Sequence, residues 1–240
     1  MQQLLADRSA CNNSWQPQSF RMRGQEFLNR QRRAKRDWYA QREHHRLGLL
    51  RHCTRLYSWR IKSSTVELRE AEIRSAFSGV TSPYDTHRPV LCEAIVRMTG
   101  PILELGMGEG STRALHVVAE ASGRRVYSYD HDPGWVARYS GLQSAVHTIA
   151  QVSSWDACPI DLTQWGVAFV DHAPAERRRV DIVRLAQITQ VLVVHDTEDH
   201  RYGYDDLLDT FAYRLDHRVH VPWTTLLSNF VDVSLWTIAS

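Results

Sequence analysis

From about residue 100 onward, the chain alternates short apolar runs with stretches whose apolar residues recur every three or four positions. Short apolar runs suit strands buried on both faces, and the three-to-four spacing suits helices with one buried stripe. The runs ILEL (102–105), RRVYSYD (124–130), AVHTIAQ (145–151), WGVAFVD (165–171) and QVLVVHD (190–196) read as strands. Between them, residues 111–121, PGWVARYSGL (133–142) and PAERRRVDIVRLAQIT (174–189) read as helices, with Pro133 in a first turn where its missing N–H costs nothing. YDDLLDTFAYRL (204–215) carries the same helical spacing, and RVHVPWTTLLSNFVDVSLWTI (218–238) reads as two strands around a turn. Ahead of the alternation, KSSTVELREAEIRSAF (62–77) predicts a helix capped by Ser64 or Thr65. Residues 78–89 predict a loop, and Pro89–Met98 a further helix. Strands alternating with helices imply an α/β domain: a doubly wound, mostly parallel sheet with helices on both faces.

Composition adds a second part. Residues 21–60 hold twelve Lys or Arg against three acids, whereas the whole 240-residue chain nets only +2. The expected organisation is a basic N-terminal arm over 1–62, partly helical or disordered, and an α/β domain over 63–240. The arm interleaves its arginines with Trp38, Tyr39, Tyr57 and Trp59, a composition suited to phosphate contact and base stacking, so nucleic acid is a candidate partner through residues 21–60. The rival expectation is a basic cover packed on the domain. No run approaches the ~20 apolar residues of a membrane helix. The first residues lack the plan of a secretory signal, and the four cysteines are scattered without metal-ligand spacing. These point to a cytoplasmic protein with reduced thiols and no membrane partner. Nothing in the sequence bears on oligomeric state.

Chemistry gathers at the strand ends. In doubly wound sheets ligands bind beyond the carboxyl ends of the strands, at the point where strand order reverses. Here those ends carry Gly106-Met-Gly108-Glu-Gly110, Asp130, Trp155-Asp156, Asp171-His172 and His195-Asp196. Glycine turns between a strand and a helix bring backbone N–H groups up to a ligand. The third glycine falls one position early for the dinucleotide fingerprint G-x-G-x-x-G. Glu104, inside a buried strand, needs a cationic or N–H partner. It would repel a pyrophosphate and attract the ammonium and sulfonium charges of S-adenosylmethionine. Asp130, twenty residues past Gly110, is placed to accept hydrogen bonds from ribose hydroxyls.

ILELGMGEGST together with VYSYD resembles the first two motifs of class I S-adenosylmethionine-dependent methyltransferases, and the similarity runs from about residue 80 to 240. The resemblance implies a Rossmann-like sheet ending in an antiparallel hairpin, with Phe230–Ile238 as the inserted strand. It implies that Glu104, Gly106, Met107, Gly108, Gly110, Ser111 and Thr112 surround the methionine part of the cofactor, that Asp130 binds the ribose with His131 beside it, and that Trp155 and Asp156 sit against adenine. The segment FVDHAPAERRRVDIV…VLVVHDTEDH resembles the small-molecule O-methyltransferases within that class. By that likeness Asp171 and Asp196 would hold Mg²⁺, although Thr197 stands where relatives often supply a third ligand. Asp171 also counts among the expected cofactor contacts.

Methyl transfer needs a deprotonated acceptor. Asp171, His172, His195 and Asp196 are the catalytic candidates: either a cation on the two aspartates lowers the pKa of a hydroxyl, or an imidazole takes its proton. The expected activity is O-methylation of a small molecule. The alternatives are methylation of RNA bound through the arm, and a non-catalytic scaffold that binds S-adenosylmethionine. The ERRR run (176–179) reads as a solvated helix face.

Overall fold

The structure, a computed structural model, describes residues 62–239 apart from Asp205. The expectations for the basic arm and its nucleic-acid contact fall on residues outside that set. Helix α1 (Lys62–Ala76) is followed by a loop with one 3-10 turn at Pro83–Asp85, and by α2 (Arg88–Arg97). The alternation then runs β1 (Ile102–Leu105), α3 (Thr112–Ser122), β2 (Val126–Asp130), α4 (Pro133–Tyr139), β3 (His147–Gln151), β4 (Trp165–Val170), α5 (Ala175–Leu185) and β5 (Thr189–His195). Strands β6 (Tyr213–His217) and β7 (Thr224–Ser228) close the order. Ser64 and Thr65 lie inside α1, so neither caps it.

The seven strands stand in the order β3-β2-β1-β4-β5-β7-β6. The first five are parallel, β7 runs antiparallel between β5 and β6, and strand order reverses between β1 and β4. This is the doubly wound, Rossmann-like sheet with an antiparallel C-terminal hairpin. Alternate residues of each central strand feed two cores. Ile102, Val167, Phe169, Val191 and Val193 face α1, α2 and α3, while Leu103, Leu105, Ala168, Val170, Leu192 and Val194 face α5 and the 3-10 turns around Trp155 and Leu208.

Two expectations fail near the C-terminus. Residues 204–215 form a single 3-10 turn (Leu208–Thr210) and then enter β6, because Tyr204, Leu207, Leu208 and Phe211 pack against the sheet without continuing a helix. The inserted strand is Thr224–Ser228, buried along its whole length, rather than Phe230–Ile238. The latter segment carries Val231, Val233, Trp236 and Ile238 onto the first core with no strand pairing.

Candidate active site

Glu104 lies on the α3 side of β1, in register with the core residue Ile102, and is fully buried beneath the start of α3. Ser111 Oγ and Thr112 Oγ1 both donate to its Oε1, at 2.5 and 3.1 Å, and the Ser128 hydroxyl also favours the ionised carboxylate, while Oε2 makes no geometric hydrogen bond among the described residues. The partners are therefore hydroxyls rather than a cation or a backbone N–H. Burial outweighs these hydrogen bonds and pushes the carboxyl up to about 7. An acidic group at the edge of ionisation, with one oxygen unspent, is suited to a cationic ligand.

The three glycines divide by role. Gly106 holds φ +92, and a Cβ there would lie 2.6 Å from the Cα of His172, so β4 and the loop are in contact only because the side chain is absent. A Cβ on Gly110 would lie 2.8 Å from His87 Cε1 and would also strike the Tyr84 carbonyl. Gly108 alone faces open space, with only Ser111 Oγ near its would-be Cβ at 3.9 Å. Two of the three glycines thus serve packing, and one leaves room for a ligand.

Asp130, at the end of β2, accepts from Met107 N–H on Oδ2 (2.8 Å) and from Asp132 N–H on Oδ1 (2.9 Å). It fastens the glycine loop to β2 and keeps lone pairs for a ribose hydroxyl. His131 lies beside it, with Nδ1 3.5 Å from Asp130 Oδ1. Trp155 is buried with its ring 4.2 Å from that of His172, and its indole N–H donates to Ala173 O (2.7 Å). Asp156 does not join the site: its side chain is 82% exposed and pairs with Arg177 at 2.6 Å.

At the ends of β4 and β5 the central cation is an arginine. Arg178 Nη2 lies 3.0 Å from Asp171 Oδ1 and Nη1 lies 2.7 Å from Asp196 Oδ2, and the guanidinium also donates to the carbonyls of His172 and Asp171. Arg178 thus supplies a positive charge between the two aspartates on which the sequence expectation places Mg²⁺. Thr197 is likewise engaged, its Oγ1 accepting from Thr225 Oγ1 at 2.9 Å. The reading of 176–179 as a solvated face fails at Arg178, which is buried. It falls four residues before Ile182 and seven before Leu185, on the same inward stripe. Asp196 adopts φ +59, a left-handed turn that aspartate tolerates.

His172 is no candidate base. Its ring is fully buried against Trp155, with Nε2 3.1 Å from Asp181 Oδ2, and burial lowers its pKa. His195 is different. Its Nδ1 lies 3.3 Å from Asp171 Oδ1 and 3.4 Å from Asp196 Oδ1, and its Nε2 lies 2.9 Å from Thr86 Oγ1. Burial opposes the imidazolium, but the hydrogen bond to Asp171 and the charges of Asp171 and Asp196 win, and the pKa rises. Burial likewise opposes Asp171 ionising, yet the His195 bond and the charges of His195 and Arg178 bring it down to about 2. The two shifts agree.

Thr86 and His87, within the segment 78–89 that predicts a loop, are both buried. The His87 ring meets His195 edge-on at 5.0 Å and Phe169 at 4.6 Å, and burial lowers its pKa to about 3. A Thr-His pair just ahead of a helix, in a loop otherwise of Gly, Ser, Pro and Asp, is the signal that would have singled them out.

No family model and no curated protein matches the chain. Among solved structures, it is similar to an O-methyltransferase from Bacillus cereus in complex with S-adenosylhomocysteine, at 13% identity and TM-score 0.45, over 71% of this chain and 93% of that one. It is similar to the O-methyltransferase TomG from Streptomyces achromogenes in complex with S-adenosylmethionine, at 16% identity and TM-score 0.40, over 70% and 90%. The 16S rRNA methylase ArmA matches at 16% identity and TM-score 0.41, over 69% and 85%.

Proposed function

We propose that this protein is an S-adenosylmethionine-dependent methyltransferase that transfers the methyl group to a hydroxyl of a small molecule. The observation that carries the reading is a juxtaposition at one end of the sheet. Glu104 with its unspent Oε2, the open face at Gly108 and Asp130 stand at the ends of β1 and β2, and the His195–Asp171 pair stands at the ends of the neighbouring β4 and β5. The buried, unpartnered carboxylate oxygen fits the cofactor's ammonium group, Gly108 leaves backbone open to it, and Asp130 fits its ribose. When bound, the cofactor supplies an electrophilic methyl carried on a sulfonium.

The chain's own residues then have separable tasks. Asp171 holds the Nδ1–H of His195, so that Nε2 is the nitrogen free to accept a proton. The Thr86 hydroxyl sits on that nitrogen at 2.9 Å and marks where an acceptor hydroxyl would be received. Arg178 neutralises the carboxylates, fixes their orientation and keeps the pair in place without a metal.

The test is calorimetric titration with S-adenosylhomocysteine, followed by labelled-methyl transfer into an extract split into small-molecule, RNA and protein fractions. Tight binding and label in the small-molecule fraction are expected. Tighter binding of NAD than of S-adenosylhomocysteine would overturn the cofactor. Label confined to RNA would favour the second reading, which the composition of residues 21–60 supports: an RNA methyltransferase that holds its substrate through the arm.

A further inference from the structure

His87 is an anomaly in this core. It is 2% exposed, and neither ring nitrogen has a hydrogen-bond partner, a costly state for a buried imidazole. One edge of the ring lies over Gly110 and its flank lies against Phe169, so its neighbours do not repay the burial. A nitrogen of His87, a nitrogen of His195 and a carboxylate oxygen of Asp171 all lie within 4.8 Å of one another. Both Arg178 and His195 engage Asp171 through Oδ1, which leaves Oδ2 without a hydrogen bond among the described residues. The three residues come from three separate segments: the loop before α2, the end of β4 and the end of β5.

We propose that His87, Asp171 and His195 form a binding site for an imidazole-seeking divalent cation of the Zn²⁺ class, and that its occupancy silences His195 as a base.

Two imidazoles and one carboxylate form a donor set that Zn²⁺, Co²⁺ or Fe²⁺ prefers, whereas Mg²⁺ takes oxygen ligands. Tetrahedral ligands at roughly 2.0–2.2 Å from one ion stand about 3.5 Å apart, so the widest pair of the cluster closes by up to about 1.3 Å when the ion binds. With both imidazoles neutral, as ligation requires, two aspartates against one arginine leave the pocket with one negative charge, which favours a cation. An imidazole with one nitrogen on a metal carries a proton on the other and has no lone pair left to accept one. Ligation and base catalysis therefore exclude each other at His195. The binding half of this inference stands whether or not the chain transfers methyl groups, and the inhibition half rests on the methyltransferase reading.

The experiment is equilibrium dialysis of the purified full-length chain against Zn²⁺, with Co²⁺ as a spectroscopic stand-in. X-ray absorption on the zinc-loaded protein reports which atoms coordinate the metal. His87→Gln keeps most of the ring's volume, and Asp171→Asn removes a ligand from a second segment. The full chain holds other histidines and cysteines, so the readout is the difference between wild type and variants. Expected is one bound ion that Mg²⁺ does not displace, a shell of nitrogen and oxygen without sulfur, and loss of that ion in both variants. Unchanged stoichiometry in His87→Gln, displacement by Mg²⁺, or sulfur in the shell would each overturn the site. If the variants do not fold, the wild-type absorption spectrum still decides: two imidazoles with oxygen support the site, and any other shell refutes it. Where methyl transfer has been established, equimolar Zn²⁺ should suppress it and a chelator should restore it. Zinc binding with undiminished transfer would sink the inhibition half alone.

Discussion

His195 carries Asp171 on one ring nitrogen and Thr86 on the other, and this fixes the sign of its pH response. A base must be neutral to work, and the folded protein holds this imidazole above its ordinary value near 6.5. The methyl-transfer rate at saturating cofactor should therefore rise with pH through a midpoint above 6.5. In Asp171→Asn the carboxylate that raises the imidazole is gone, so the midpoint should move to lower pH. The plateau should also fall by about 10²–10⁴-fold as the ring loses its orientation. A pH–rate series on both proteins checks this, and an unmoved midpoint would remove His195 from the reaction. Glu104 gives the opposite kind of linkage. Its folded pKa of about 7 exceeds that of an exposed carboxyl, so the folded chain holds the proton more tightly and stability falls as pH climbs from about 4.5 to 7. Glu104→Gln, which cannot ionise, should melt higher than wild type at pH 8, by an amount on the order of 1–3 kcal/mol, and should match it near pH 4.5. The same variant should bind S-adenosylhomocysteine more weakly, because the charge that costs stability is the one read as meeting the ammonium group. Higher stability without weaker binding would mean that Glu104 is not a cofactor contact.

Between β1 and α3 the glycines separate folding from binding. Gly110→Ala pushes a methyl into His87 and the Tyr84 carbonyl, both on the segment that carries Thr86. It should lower Tm and disturb His195 through Thr86. Gly108→Ala meets nothing closer than 3.9 Å and should melt like wild type while losing cofactor affinity. Thermal melts with and without S-adenosylhomocysteine distinguish the two, and a destabilised Gly108→Ala with intact binding would reverse the assignment. The sheet was legible in the sequence because β1, β4 and β5 are buried on both faces and so read as unbroken apolar runs between helical patterns. The antiparallel hairpin was expected as well, but its residues were misplaced. Leu207, Leu208 and Phe211 sit at helical spacing but are spent in a 3-10 turn against the sheet. Val231 and Val233 alternate like a strand, yet they line a segment without strand partners. Local periodicity cannot tell a residue that packs on a sheet from one that belongs to it. The site divides in the same way. Glu104, Asp130, Asp171 and His195 stand at or beside strand ends, where topology flags them. Thr86, His87 and Arg178 reach the cleft from a loop and a helix, and only tertiary packing brings them in.

On a larger scale, both hydrophobic cores and the seven strands found among the described residues lie between Ile73 and Ile238. The sequence sets the basic arm apart from the strand–helix alternation by composition alone, so folding and cofactor binding should not require it. A chain starting at Lys62 should keep a single cooperative melting transition and the full-length affinity for S-adenosylhomocysteine. The twelve cations of residues 21–60 should act instead through phosphate contacts, which release counterions and weaken steeply with salt. RNA affinity of the full chain, measured across a salt series, should fall with a clear log–log slope and should vanish in the truncated chain. Loss of RNA binding with methyl transfer to small molecules intact would make the arm a separate attachment. If RNA binding survives truncation, the phosphate-binding surface lies on the α/β domain. If the truncated chain no longer melts cooperatively, the arm belongs to the core, and the boundary at residue 62 is wrong.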